Sequence, residues 1–229
     1  MDHDDVTIIM PHEGKIHPDL QSFITEACLK GATVIAEQQG EKVKFPNNPA
    51  RARYTNINIT RNRARERALR TAKREWFLYV DSDVIPPKNA IEMFKFRSSA
   101  NKCHVMGGWY PVRGEAQKIG KIEDGVFSGT MELTRWVAGK EVEDNLVHQY
   151  YCPRTYKDMV SNVAPLGCLW IRSEVSASMR FMPGMDMRVR DAYVGHYLMA
   201  GDCCEFGIRL KRRYGIEVLM NQAVVCRHN

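Results

Sequence analysis

The sequence has no run approaching the roughly 18 consecutive apolar residues that a membrane span needs, so integral membrane association is not expected. It has no Cys-x-x-Cys pair. Its seven cysteines (Cys28, Cys103, Cys152, Cys168, Cys203, Cys204 and Cys226) are odd in number and scattered, which makes reduced thiols the default. The adjacent Cys203-Cys204 fits packing in a helix better than redox chemistry or metal binding. It lacks the positively charged opening of a signal peptide: Met1-Asp-His-Asp-Asp5 is acidic, and the expected location is cytoplasmic. No composition shift marks a second domain in the 229 residues, a length that supports one substantial core. Nor is there a strong charge imbalance. A net charge of +6 permits an anionic substrate, a nucleic acid or a membrane surface and selects none.

What is present centres on Trp76-Phe-Leu-Tyr-Val-Asp81-Ser82-Asp83-Val-Ile-Pro86-Pro87. The apolar run reads as a buried strand that the two prolines stop. In extended chain, residues two apart share a face, so the Asp81 and Asp83 carboxylates would converge on one point. Two like charges held there call for a cation, and a hard divalent ion, Mg²⁺ or Mn²⁺, suits carboxylate, phosphate and water ligands. The alternative is that both aspartates cap a helix beginning near Pro87.

Upstream, Val6–Met10 reads as a strand stopped at Pro11, with a loop at His12-Glu13-Gly14. A helix follows from Pro18 with Leu20, Phe23, Ile24, Ala27 and Cys28 at helical spacing, ended by Gly31, and then a strand at Ala32–Ala36. Strand, helix, strand opens a parallel α/β sheet. Residues 38–53 read as loop, and a helix is expected from about Thr60 to Arg74. Ala64, Ala68 and Ala72 line its apolar face together with Arg61, whose charge there demands a phosphate, base or carboxylate partner unless it swings out to water. Arg63, Arg67, Arg70 and Arg74 form a separate outer stripe, read as a solvated face or a surface for DNA or lipid. Downstream come a helix over 88–99 and a strand at His104–Tyr110 whose Gly107-Gly108 pair admits close approach to the backbone. Hairpins and loops are expected over 111–156, then an apolar segment Val163–Ile171 broken by Pro165 and Gly167, and a loop over 180–190. Asp202 can cap a helix running to Tyr214, with Phe206 and Leu210 inward and Gly215 as its stop. Short strands at 216–220 and 223–227 finish the chain.

In order, these segments resemble the glycosyltransferases of the GT-A fold, of the compact kind related to glycosyltransferase family 2. Ile8-Ile-Met-Pro11 is similar to the family's opening strand, and Thr60-Arg61-Asn62-Arg63-Ala64 to its Arg-Asn helix. Leu78-Tyr-Val-Asp81-Ser-Asp83 is similar to its Asp-x-Asp strand. Val105–Tyr110, Pro165–Trp170, Gly201–Phe206 and Val225-Cys-Arg-His228 follow in family order. The Gly-rich start, with a following Arg and Pro, of a sugar-nucleotide nucleotidyltransferase is missing.

The resemblance implies a single α/β GT-A domain over 1–229 with a mostly parallel central sheet flanked by helices. Residues 1–110 would form the nucleotide-sugar half, and 111–229 a smaller mixed acceptor half. It implies a nucleotide diphosphate sugar donor, a UDP-sugar by preference, lying across the carboxyl ends of the strands. Asp83, helped by Asp81 and Ser82, would seat Mn²⁺ or Mg²⁺ on the diphosphate, and His228 would add a ligand if its strand ends beside Asp83. Its alternative is a free terminal histidine. Pro11, His12 and Glu13 would edge the base or ribose, with Arg61 on the base or a phosphate. Gly108, Trp109, Gly167 and Trp170 would line the acceptor side, the acceptor being a glycan, a small molecule or DNA. Inverting transfer needs a carboxylate to take the acceptor proton. The family's acidic pair reads here as Gly201-Asp202-Cys203, so Asp202 is the expected base, Glu205 second and Asp186 third. The cysteine leaves a retaining mechanism and a non-catalytic sugar-nucleotide or nucleic-acid binding module open.

Overall fold

The computed structural model describes residues 2–40, 42–44, 49–110, 121–123, 126–128, 132–133, 149–150, 159–161, 164–182, 188–190, 197–199 and 202–228. The elements before the acceptor half are β1 (Val6–His12), α1 (Pro18–Leu29), β2 (Thr33–Gln38), α2 (Pro49–Thr71), β3 (Trp76–Val80), β4 (Val84–Ile85), α3 (Ala90–Asn101) and β5 (Val105–Trp109). Short strands follow: β6 (Lys121–Glu123) with β7 (Val126–Ser128), and β8 (Glu132–Leu133) with β9 (Gln149–Tyr150), both antiparallel pairs as the hairpin reading expects. Then come β10 (Met159–Ser161), β11 (Cys168–Arg172), α4 (Ser173–Ser178), β12 (Arg188–Arg190), β13 (Tyr197–Met199), α5 (Asp202–Tyr214), β14 (Val218–Val225) and β15 (Arg227–His228). The pairing of β12 with β13 replaces part of the loop expected over 180–190.

Seven strands form the main sheet in the order β10-β14-β5-β11-β3-β1-β2. β2, β1 and β3 run parallel, as do β5 and β14, but β11 lies antiparallel between β3 and β5, and β10 antiparallel on the edge. The sheet is therefore mixed. Alternation divides each strand between two cores. Ile9, Phe77, Tyr79, Leu169 and Ile171 face α2, α4 and α5, while Ile8, Met10, Leu78, Val80 and Trp170 face α1 and α3. Strands covered on both faces read as continuous apolar runs, which is why they were legible. No helix among the described residues is long and apolar enough to cross a membrane.

Several boundaries move. α2 starts at Pro49, inside the expected loop, because proline fits a helix's first turn and the following Ala-Arg-Ala-Arg are good helix formers. It stops at Thr71, leaving Lys73 and Arg74 in the connection to β3. The two expected terminal strands are one, β14, with a register irregularity between Asn221 and Val225, followed by β15. Asp81–Asp83 is not extended chain. β3 ends at Val80, and Val84 N–H donates to the Asp81 carbonyl at 3.0 Å, closing a turn. Same-face alternation therefore does not bring the two carboxylates together. Neither aspartate caps a helix, since α3 begins at Ala90 after Asn89.

Candidate active site

β1, β3, β5 and β14 point the same way, so His12, Asp81–Asp83, Trp109 and Arg227–His228 collect at one edge of the sheet. Antiparallel β11 brings its amino end, Gly167-Cys168, to the same edge: Asp81 N–H donates to the Gly167 carbonyl at 3.0 Å. α5 precedes β14 and must run against it, so Asp202 opens the helix at this edge and Glu205 lies within its first turn. Open α/β sheets bind ligands at this edge.

The turn is held from several sides. His17 N–H donates to the Ser82 carbonyl at 3.4 Å, drawing the loop after β1 against it. In that loop Gly14 takes φ +104°, and its N–H donates to His12 Nδ1 at 3.1 Å. Pro11 is buried, His12 half-buried and Glu13 exposed. β15 pairs antiparallel with β4, with His228 opposite Val84, so its backbone stands one residue from Asp83. The side chains of His228, Asp202 and Glu205 lie outside the described residues, and Asp186 does so entirely.

Helix and strand rise explain Arg61. Ten residues of helix from Thr71 climb ~15 Å, and five steps of strand from Trp76 to Asp81 climb ~16 Å, so the two residues are level. Arg61 is 4% exposed, and its Nη2 donates to both Asp81 carboxylate oxygens, at 2.8 and 3.0 Å. Nη1 donates to Asn58 Oδ1 at 3.1 Å, and the guanidinium lies 5.9 Å from the Phe181 ring centroid. Of the partners that the sequence allowed for Arg61, the carboxylate is the one present, and it is Asp81.

Three neighbours of Arg61 were missed. Asn62 clamps Phe181, donating to its carbonyl at 2.6 Å and accepting from its N–H at 3.0 Å. Asn58 donates to the Met182 carbonyl at 3.2 Å. Arg65, buried and with its pKa lowered chiefly by that burial, donates to the Ser176 carbonyl at 2.9 Å at the end of α4. Their signal was present: polar residues spaced by three or four around Arg61, on the same side as an alanine stripe.

The acceptor-side residues divide. Trp170 is corrected to a core residue: it is fully buried, stacked on Trp76 at 4.9 Å and Phe94 at 5.5 Å, and its indole N–H donates to Ser98 Oγ at 3.1 Å. The glycines make room for the chain itself. A Cβ on Gly108 would lie 2.8 Å from Cys168 Sγ, and one on Gly167 would lie 2.8 Å from the Tyr110 ring. Trp109 is buried, yet its indole nitrogen has no partner among the described residues. Behind the edge, Cys168 and Cys226 are buried and free; burial, then a hydrogen bond between them, pushes the Cys226 thiol up.

A divalent ion is compatible with this donor chemistry. Asp81 is ion-paired with Arg61, so Asp83 and, by the register of β15, His228 are the residues that would hold such an ion, a carboxylate oxygen and a ring nitrogen being donors that Mn²⁺ or Mg²⁺ accepts. Among the described residues, no cluster of three or more such side chains is present.

No protein-family model and no curated protein sequence matches the chain. Solved structures do. The A197 protein of STIV matches at TM-score 0.56 and 12% identity, over 100% of this chain and 86% of that one. GalNAc-T7, crystallised with UDP, GalNAc and Mn²⁺, matches at 0.53 and 11%, over 98% of this chain and 43% of that one. S. aureus TarS 1–349 matches at 0.51 and 12%, over 100% and 60%. The chain thus spans about half the length of the last two. At these identities the likeness is one of fold, and that fold is GT-A.

Proposed function

We propose that the protein is a metal-dependent glycosyltransferase that moves a sugar, with inversion, from a UDP-sugar to a hydroxyl acceptor in the cytoplasm. The observation that carries this reading is the register placing His228 opposite Val84, beside Asp83, at the ligand-binding edge of a GT-A sheet whose Asp81 is already fixed by Arg61. The UDP and Mn²⁺ bound to GalNAc-T7, a protein of the same fold, support the choice of donor and metal. The four described cysteines are free, in keeping with a reducing compartment.

In this mechanism His12 and Glu13, with Pro11 behind them, edge the base and ribose. Arg61 acts through Asp81, holding its carboxylate, with Ser82, in one orientation toward the nucleotide. Asp83 and His228 would hold Mn²⁺ or Mg²⁺, which supplies charge neutralisation to the diphosphate. Asp202 accepts the proton of the acceptor hydroxyl as its oxygen bonds to the anomeric carbon and the bond from that carbon to the diphosphate breaks; Glu205 is the second candidate for this role. The indole N–H of Trp109, without a partner among the described residues, is a donor available to the acceptor side.

The test is a thermal-shift screen of UDP-, GDP-, CMP- and dTDP-sugars with Mn²⁺. A ligand that binds only the folded state raises the melting temperature by mass action, with UDP-sugars expected to do so most. No shift with any donor would remove the reading. A shift without turnover would leave a sugar-nucleotide binding module in its place.

A further inference from the structure

After α4 the chain passes through residues 179–182, outside regular structure, on the sheet face that α2 and α5 cover. Such a segment must send its backbone polar groups elsewhere, and both helices take them. From α2, Asn62 donates to the Phe181 carbonyl at 2.6 Å and accepts from the Phe181 N–H at 3.0 Å, and Asn58 donates to the Met182 carbonyl at 3.2 Å. From α5, Arg209 Nη2 donates to the Arg180 carbonyl, and the Tyr214 hydroxyl donates to the Ser178 carbonyl at 3.0 Å. Phe181 is thereby fixed in its backbone and buried, at 2% exposure.

Its ring has three neighbours that matter to the candidate site. It stacks on Phe206 of α5, with centroids 4.9 Å and planes 15° apart. It meets Tyr79 of β3 edge-on at 5.2 Å, and the Arg61 guanidinium lies 5.9 Å from its centroid. Tyr79 stands two residues before Asp81, whose carboxylate Arg61 grips. Phe206 stands one turn on from Asp202 and next to Glu205. One buried ring therefore joins the end of β3 to the first turn of α5.

A phenyl group that merely fills the core needs apolar neighbours and their packing geometry. Here successive residues of α2 do more: Arg61 holds Asp81, and Asn62 holds Phe181 by both backbone groups. The carboxylate and the ring are referred to the same helical turn.

We propose that Phe181 is a positioning residue, in a role that rests on the transferase reading: its ring sets the spacing between Asp81–Asp83 and the Asp202–Glu205 turn. That spacing aligns removal of the acceptor proton with departure of the nucleotide diphosphate. A misplacement of about 1 Å between reacting groups costs on the order of 100-fold in rate. Phe181 acts through Phe206 and Arg61, so its loss lowers the rate and leaves donor binding intact.

The experiment is steady-state UDP release from UDP-glucose and UDP-N-acetylglucosamine with Mn²⁺, water being the acceptor. It compares wild type, Phe181→Leu, Phe206→Leu, the double variant and Leu210→Ala, a core truncation further along α5. Each single leucine variant should lose about 10- to 100-fold in kcat, with KM and donor thermal shift within about 2-fold of wild type. The double variant should lose no more than the worse single one, because both break the same contact. Leu210→Ala should melt lower yet keep the wild-type kcat well below its melting temperature. Should Phe181→Leu fail to fold, Phe206→Leu reads the same contact from the other side. Unchanged kcat in the leucine variants overturns the proposal, as do losses that multiply in the double variant or an equal loss in Leu210→Ala. No release by wild type from either donor overturns the transferase reading and the proposal together, whereas release equal in all five proteins overturns the proposal alone.

Discussion

Arg61 cannot shed its charge, and in its buried position Asp81 accepts two hydrogen bonds from one of its nitrogens while Asn58 accepts one from the other. Removing one member of such a pair strands the other. Arg61→Met should lower stability by about 3 kcal/mol in urea titrations, with the m value unchanged. Asp81→Asn in the same background should cost less than it does alone, the coupling that a double-mutant cycle reads. His3 gives the pH prediction. It is buried, with Nε2 3.2 Å from Glu92 Oε1, and desolvation lowers its pKa below 6.5 despite the raising influence of Glu92; Lys30 and Lys95 push it the same way. The unfolded chain thus binds a proton near pH 6.5 that the folded chain refuses. Stability present above that pH is lost as the pH falls below it. Urea midpoints measured from pH 7.5 to 5 should fall for wild type and flatten for His3→Asn. The lowered Glu92 carboxyl acts in a separate window, below 4.5.

At the scale of elements, the glycines of β5 explain how the edge is built. A Cβ on Gly107 would lie 2.1 Å from Pro165 Cγ and 2.6 Å from its Cδ, so the loop before β11 seats directly on β5. Gly107→Ala should cost about 1–3 kcal/mol by forcing that loop away, seen as a lowered midpoint in urea. The sequence announced these glycines as places of close approach, and that reading was sound. What approaches is the chain's own Pro165 and Cys168, which no local pattern reveals because the contacts are long-range. The same limit applies to Trp170: an aromatic beside Gly167 reads equally as binding or core, and only the Trp76 and Phe94 stacks decide it. By contrast α1 and α5 were legible, with Pro18 at the start of one and Gly215, at φ +65°, ending the other. Apolar spacing and local stop signals agreed there. The start of α2 was not, because Asn56 and Asn58, poor helix formers, are kept helical by hydrogen bonds to Val43 and Met182.

Across the whole molecule, the GT-A order of strands gathers at one edge residues that are far apart in sequence. His12, Asp81–Asp83, Trp109, Gly167, the start of α5 and His228 gather at this edge because β1, β3, β5 and β14 end there and β11 begins there. The ordering of motifs carried that much. The turn at Asp81–Asp83, the Arg61–Asp81 pair and the mixed direction of the sheet required the fold. If Asp83 seats a divalent ion on a sugar donor, UDP release from UDP-sugars by wild type and Asp83→Asn, with and without Mn²⁺, reads that role. Release by wild type should depend on Mn²⁺ and fall roughly 100-fold in the variant with the fold retained, about the effect of removing a metal-site partner. Release that is indifferent to Mn²⁺ and equal in the two proteins, or equal donor binding with no release by either, would contradict it.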